Sequence, residues 1–380
     1  MSEDSECFRG STPGQGNDLS PSSVFRLRDL DHLEAIYAGK ETGYFYARDG
    51  HPNAAMLATH LAELEGGEAA LVAPSGMGAI ASLLLHLLRP GDRLVADAQL
   101  YGKTSTLVDR HLRELRIEVA LVDLSDDAAA KEAIRPGTKM VWIESLSNPM
   151  LRWSPIDRLA ELATKAGATL AVDNTFTPPP ILRPIDLGAH VVMHSLTKII
   201  SGHSDVTLGC LVGKKSLIDE VKGTASTFGY HAPAFDCWLT ERSLPTLDIR
   251  VRAACANAHQ LAAFLKEQPG IKRVIYPGLS DHPEHAWGQR FAPLAGHMLV
   301  FELAGRDEVN RLFQRLKHVP FCPSLGDVTT TVSHPVSTSH RTRPPEERQQ
   351  LGITDGLVRV SVGVEPIKQI TSDFQQALAK

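Results

Sequence analysis

No apolar run in this chain reaches the ~20 residues that a membrane-crossing helix needs. The longest, such as Ala81 to Leu88, stop well short and carry His86. The first residues, MSEDSECFRGSTPGQGNDLSPSS, are acidic and polar where a secretory signal has a basic start and an apolar centre, so a cytoplasmic location is expected. Cysteine is scarce and scattered. Cys7, Cys210, Cys237, Cys255 and Cys322 are odd in number and form no CxxC pair, which argues against a disulfide framework or a zinc site. The formal net charge of -5 leaves no basic footprint for nucleic acid or a membrane surface, so a small-molecule substrate is expected. Two local clusters are set aside on the same grounds. DHPEH, Asp281 to His285, has metal-like composition, but Pro283 breaks the spacing a two-histidine ligand set uses and no third ligand is evident, so no metal is expected. The basic stretch Arg341 to Arg348 is interrupted by proline and glutamate and reads as a solvated loop and helix start.

What is present is a long alternation of two patterns. AALVA, DRLVAD, IEVALVD, KMVWIES, TLAVDN and HVVMHS read as strands, separated by the helical patterns IASLLLHLL, LVDRHLREL and IDRLAELATKA. Such alternation predicts an α/β fold, a mainly parallel sheet with helices on both faces. Residues 1–45 read as a polar arm, poorly ordered to about Ser23, and a first helix with a stripe of Phe25, Leu30, Leu33 and Ile36 stopped by Gly39. The large unit is set at 46–242. From 243 to 380 a long helix through RVRAACANAHQLAAFLKEQ, then GHMLVFELAG, a helix from Asp307 to Leu316 and the strand VRVSVGVE indicate a smaller α+β domain.

Ligands of open parallel sheets bind beyond the carboxyl ends of the strands. Asp97, Glu144, Asp173 and the turn Ser195 to Lys198 all fall at such ends. Lys198 offers an amine for a Schiff base, Ser195 and Thr197 hydroxyls for a phosphate, and Asp173 a carboxylate for a pyridinium nitrogen, which together are the protein's share of pyridoxal phosphate chemistry. Each has a plainer reading. Lys198 alone could be a solvated strand end, and Asp173, followed by Asn174 and Thr175, a cap or turn residue. In PSGMGAI, Gly76 and Gly78 between strand and helix could expose amides that cradle a phosphate. Tyr101, after the strand ending at Asp97, could stack on a cofactor ring or be a surface aromatic. Tyr46 and Arg48 share one side of an extended segment and suit a phosphate, or are simply exposed. Arg359 lies in an apolar strand and requires a carboxylate, from an amino-acid substrate or a structural ion pair.

These segments, with ESLSNP, YPGL and HPEH, SLGDVTTTVSHPVSTSH and GLVRVSVGVE, closely resemble the Cys/Met metabolism family of pyridoxal phosphate enzymes, from about Val24 to the C-terminus. The resemblance implies fold type I with a central sheet of the seven-stranded type. It implies that Lys198, Tyr101 and Asp173 are catalytic, with Lys198 holding the cofactor, Asp173 its ring nitrogen and Tyr101 its ring face. Gly76, Met77, Ser195, Thr197 and Thr175 would complete the cofactor site, and Asn148, Ser324 and Arg359 would bind the substrate. Tyr46 and Arg48 would reach a neighbouring subunit's phosphate, making a homodimer with shared active sites, paired into a homotetramer. The activity implied is carbon–sulfur lysis or γ-replacement on cystathionine, methionine or an O-acylhomoserine. The alternatives are an O-acetyl- or O-succinylhomoserine sulfhydrylase and, more distantly, a catalytically silent cofactor-binding protein. Where the family commonly has GNPT, YGGT and a glutamate after SLGxV, this chain has Gly50-His51-Pro52-Asn53, Lys103 and Thr329; the last counts against cystathionine.

Overall fold

The computed structural model describes residues 18–341 and 343–379. The strands β1 (Ala69–Ala73), β2 (Arg93–Asp97), β3 (Glu118–Val122), β4 (Thr138–Glu144), β5 (Thr169–Asp173), β6 (Val191–Ser195) and β7 (Gly209–Gly213) form one sheet in the order β1-β7-β6-β5-β4-β2-β3. Neighbours from β6 to β3 pair in parallel, and β7 alone is reversed, pairing antiparallel with β1 and β6. Successive side chains on a strand point to opposite faces. Val141 and Ile143 of β4 accordingly enter one hydrophobic cluster, with Leu159 and Ala163 of the helix Ile156–Ala166. Met140 and Trp142 enter the other, with Ile80, Leu83 and Leu84 of the helix Gly76–Leu87. Both faces are covered, which is why these strands read as continuous apolar runs.

The sequence pattern does not reveal β7. Its glycines have a packing reason: a Cβ on Gly209 would lie 2.5 Å from the Ser75 carbonyl oxygen and 2.6 Å from Gly76 Cα. Only a glycine lets this strand pass the start of the helix Gly76–Leu87. The helical pattern LVDRHLREL also differs, since Leu107–Leu112 is π-helical and continues a short α-helix at Gly102–Thr106.

A second sheet contains β8 (Arg273–Ile275), β9 (Met298–Glu302), β10 (Thr331–Ser333) and β11 (Leu357–Ser361), antiparallel in the order β10-β11-β9-β8. One face packs Leu299, Phe301, Val358 and Val360 on the helices Leu247–Lys266 and Ile367–Leu378. The other turns Met298, Val300 and Leu357 into the core of the large sheet. Arg359 alternates with Val358 and Val360, so the same pleat points it toward the large sheet.

The arm reading falls mostly outside the described residues. Its last part is tethered, as the Ser20 amide donates to Asn53 Oδ1 and Asn53 Nδ2 to the Asp18 carbonyl, each at 2.9 Å. The first helix runs from Leu30 to Tyr37, with the Asp29 carboxylate accepting the His32 amide at 2.8 Å. None of its residues is buried, and Leu30 is 77% and Tyr37 68% exposed. Among the described residues Phe25, Leu33 and Ile36 are thus half-buried, while Leu30 and Tyr37 stand uncovered.

Candidate active site

Because β2, β4, β5 and β6 run in parallel, Asp97, Glu144, Asp173 and Ser195 end on one side of the sheet. A cavity of about 600 Å³ opens there. Gly76, Met77, Tyr101, Asn148, Asp173, Thr175, Ser195, Thr197, Lys198, Ser324 and Arg359 all line it. Tyr46 and Arg48 do not. The Arg48 guanidinium carbon sits 5.0 Å from the Tyr46 ring centroid, and Tyr46 is 42% exposed.

Lys198 leaves β6 in a tight turn, its amide donating to the Ser195 carbonyl at 3.2 Å. Arg250, buried in the helix Leu247–Lys266, fastens this turn by donating to the carbonyls of Ile199 at 2.7 Å and Ile200 at 2.9 Å. From the other side the loop bearing Ser324 presses close, and a Cβ on Gly326 would lie 2.4 Å from the Ile199 nitrogen. Lys198 Nζ consequently reaches Ser324 Oγ at 3.2 Å. Burial, followed by the charge of Arg359, lowers its pKa.

Asp173 does not cap a helix. Its Oδ1 accepts the Thr175 amide at 3.0 Å and the Thr175 hydroxyl at 2.5 Å, while Thr175 Oγ1 accepts the Ser195 amide at 2.9 Å and so ties the ends of β5 and β6 together. Burial raises the Asp173 pKa. Behind it lies a buried pair, with His194 Nε2 2.5 Å from Glu65 Oε1. Glu144, marked in the sequence only as a strand end, is a further buried carboxylate in the cavity wall. It accepts the Tyr101 backbone N–H, and desolvation, then the nearby Asp173, pushes its pKa well up.

At the helix Gly76–Leu87, Ser75 Oγ accepts the Gly78 amide at 3.0 Å. The first turn otherwise faces Ser195, and a Cβ on Gly76 would sit 2.9 Å from Met193 Cε and 3.0 Å from Ser195 Cβ. Arg359 is 4% exposed and donates to Asn148 Oδ1 at 3.0 Å and the Ser324 carbonyl at 3.2 Å, leaving Nε without a partner. No structural carboxylate pairs with it among the described residues. Thr207, Arg341 and the segment Ser337 to Ser339 also line the cavity. Sequence reasoning gave them no role, although SHPVSTSH had stood out as a segment. In DHPEH, His282 Nε2 is engaged with the Leu151 carbonyl at 2.9 Å. No helix among the described residues is long and apolar enough to cross a membrane.

A sequence model described as Cys/Met metabolism PLP-dependent enzyme matches residues 12–379. The chain belongs to this family. It is 39% identical to the L-methionine gamma-lyase of Pseudomonas putida, over 94% of this chain and 90% of that one. It is 38% identical to the O-succinylhomoserine sulfhydrylase of Pseudomonas aeruginosa, over 96% and 91% respectively. A crystal structure of cystathionine gamma synthase from Xanthomonas oryzae pv. oryzae, in complex with aminoacrylate and cysteine, superposes with a TM-score of 0.91 at 35% identity, covering 96% of this chain and 92% of that one. The fold is thus fold type I, the cofactor is pyridoxal phosphate and the function lies in trans-sulfuration chemistry of carbon–sulfur bonds. The cavity suits this cofactor. A helix start crowded against hydroxyls accepts an anion, and a carboxylate whose ionisation burial opposes is relieved by a cationic ring nitrogen.

Proposed function

We propose that the chain is a carbon–sulfur lyase or γ-replacement enzyme of sulfur amino acids, acting on methionine, cystathionine or an O-acylhomoserine. The observation that carries this reading is the convergence of Lys198, Asp173 and Arg359 on one cavity with Tyr101 at its wall. Bound pyridoxal phosphate supplies an electron sink for the charge released at the substrate Cα. Lys198 is the residue that holds it, and Asp173 keeps its ring nitrogen cationic. Gly76, Met77, Ser195 and Thr197 take the phosphate, with Thr175 fixing Asp173 and Ser195 relative to each other.

Arg359, aided by Asn148 and the Ser324 loop, grips the substrate carboxylate with its unused guanidinium edge. Lys198 Nζ, when free, would accept the Cα proton of a substrate held by Arg359. Its lowered pKa leaves more of the amine neutral for that task. Tyr101, 41% exposed at the wall, donates a proton to the departing sulfur or oxygen. Elimination and replacement then share these residues and differ in whether water or a thiol completes the reaction.

We further propose a homodimer, paired into a tetramer, in which Tyr46 and Arg48 serve the neighbouring subunit's phosphate. Their position outside their own cavity and the exposed apolar side chains of Leu30 and Tyr37 support this. The units 1–45, 46–242 and 243–380 are our division, supported by two sheets spanning 69–213 and 273–361. Buried free thiols at Cys210, Cys237 and Cys255 favour a reducing cytoplasm.

The test is a substrate panel with the holoenzyme: L-methionine, L-cystathionine, and O-acetyl- and O-succinyl-L-homoserine, each with and without sulfide. An α-keto acid and ammonia formed without an acceptor identify elimination, and homocysteine that appears only when sulfide is supplied identifies replacement. Lys198→Ala abolishes either. No turnover of any member defeats the proposal in favour of a silent cofactor-binding protein.

A further inference from the structure

The catalytic cavity holds a second guanidinium that the mechanism above leaves unused. Arg341 lines it beside Ser337, Thr338 and Ser339, and unlike Arg359 it is exposed. Among the described residues no carboxylate pairs with it. Its neighbour Arg343 is engaged, donating to the Ala98 carbonyl at 3.1 Å and lying 3.8 Å from Glu347. The acidic residues of the cavity wall, Glu144 and Asp173, are buried and committed to the Tyr101 amide and to Thr175. Asp327, the acid of the SLGDV loop, accepts from Ser204 Oγ at 2.5 Å and from the Thr329 amide at 2.8 Å.

One cavity therefore carries a buried guanidinium and an open one. A substrate whose α-carboxylate lies at Arg359 has the exposed Arg341 on the wall of the same cavity for its γ-substituent. We propose that Arg341 is a second carboxylate anchor, selecting γ-substituted amino acids whose leaving group ends in a carboxylate, the chemistry of homoserine acylated by a dicarboxylic acid. This rests on the reading that Arg359 takes the α-carboxylate. A leaving group ending in an amino acid fits less well, because its ammonium would meet a guanidinium where, among the described residues, the lining acids Glu144 and Asp173 are already engaged. A simple methyl thioether gains nothing from Arg341.

The test compares O-succinyl- and O-acetyl-L-homoserine as substrates of the holoenzyme and its Arg341→Gln and Arg341→Lys variants. A partly exposed, charge-assisted contact predicts that Arg341→Gln lowers kcat/KM for the succinyl ester about tenfold, chiefly through KM. The acetyl ester changes less than about threefold, and Arg341→Lys recovers most of the loss. Equal losses on both esters, or none on either, overturn the proposal. A second measurement is independent of turnover: titration of the cofactor absorbance with α-aminononanedioate and with α-aminononanoate. The wild type binds the diacid more tightly and Arg341→Gln abolishes that preference; a wild type without preference refutes the anchor. If neither ester is turned over, the O-acylhomoserine branch of the reaction assignment fails while the titration still decides the role of Arg341.

Discussion

Replacing Arg359 by methionine separates substrate recognition from stability, because the structure predicts different outcomes for the two. Burial pushes the guanidinium pKa down to about 10, well below its ordinary value, a cost of about 3 kcal/mol while the group stays charged. For a base whose folded pKa is depressed, that cost is fully present below the folded pKa and is relieved as pH rises toward the unfolded one, so at neutral pH it applies in full. Methionine has similar bulk and removes it. The loss on the other side is two buried acceptors, Asn148 Oδ1 and the Ser324 carbonyl, at about 1 to 2 kcal/mol each. The terms nearly cancel, and for a chain of this length Tm moves by no more than about 2 °C. Loss of a desolvated carboxylate contact costs about 3 to 5 kcal/mol, so kcat/KM falls roughly 200- to 5,000-fold. Steady-state kinetics on the preferred substrate of the panel and scanning fluorimetry of the same holoenzyme preparation read both quantities. A fall in Tm of more than about 5 °C with kcat/KM within about tenfold of wild type would refute the reasoning and make Arg359 a structural cation.

Three further substitutions probe separate links. In Gly209→Ala the new methyl meets Ser75 O and Gly76 Cα, so the helix start shifts and cofactor affinity falls at least about tenfold; unchanged affinity by equilibrium dialysis, with unchanged circular dichroism, contradicts the phosphate placement. Burial lifts the Asp97 pKa to about 6, from about 3.9 in an unfolded chain. A raised folded pKa adds stability that is complete below the unfolded value and lost as pH climbs through 6, a swing of about 3 kcal/mol. Asp97→Asn should therefore flatten the slope of Tm against pH between about 4 and 7; an unaltered slope removes Asp97 as its source. Mixing Arg48→Ala with Lys198→Ala subunits tests the shared site. If Arg48 crosses between subunits, each mixed dimer regains one intact site, about a quarter of wild-type activity after random exchange, whereas no recovery places Arg48 within its own subunit.

The strand ends were legible because a parallel sheet buried on both faces writes each strand as an apolar run, and the first polar residue after it marks the crevice. Asp173 and Ser195 followed from that, and Arg359 from the cost of a charge inside VRVSVGV. The strand β7 was hidden because Gly209 and Gly213 serve close backbone approach, which leaves no period-two pattern to read. Thr207, Arg341 and the Ser337 to Ser339 segment reach the cavity from loops or a 3-10 turn, whose direction depends on tertiary contacts. The first helix was legible as an amphipathic stripe, yet periodicity states only that a face needs cover. It does not say which chain supplies it.

The four buried or half-buried ionisable groups of the site respond to burial in the same sense. Lys198 and Arg359 shift toward losing their protons, and Glu144 and Asp173 toward keeping theirs. Each shift favours the neutral form, the sign that desolvation gives when partners are insufficient. A solvated cleft with well-paired charges would show the opposite signs. The protein alone thus bears unfavourable electrostatic terms, of which a cationic ring nitrogen would offset the one at Asp173 and a substrate carboxylate the one at Arg359. Recognition here is charge completion: the fold holds each charged group where burial makes it costly, and the ligand that binds best is the one that supplies every missing counter-charge at once.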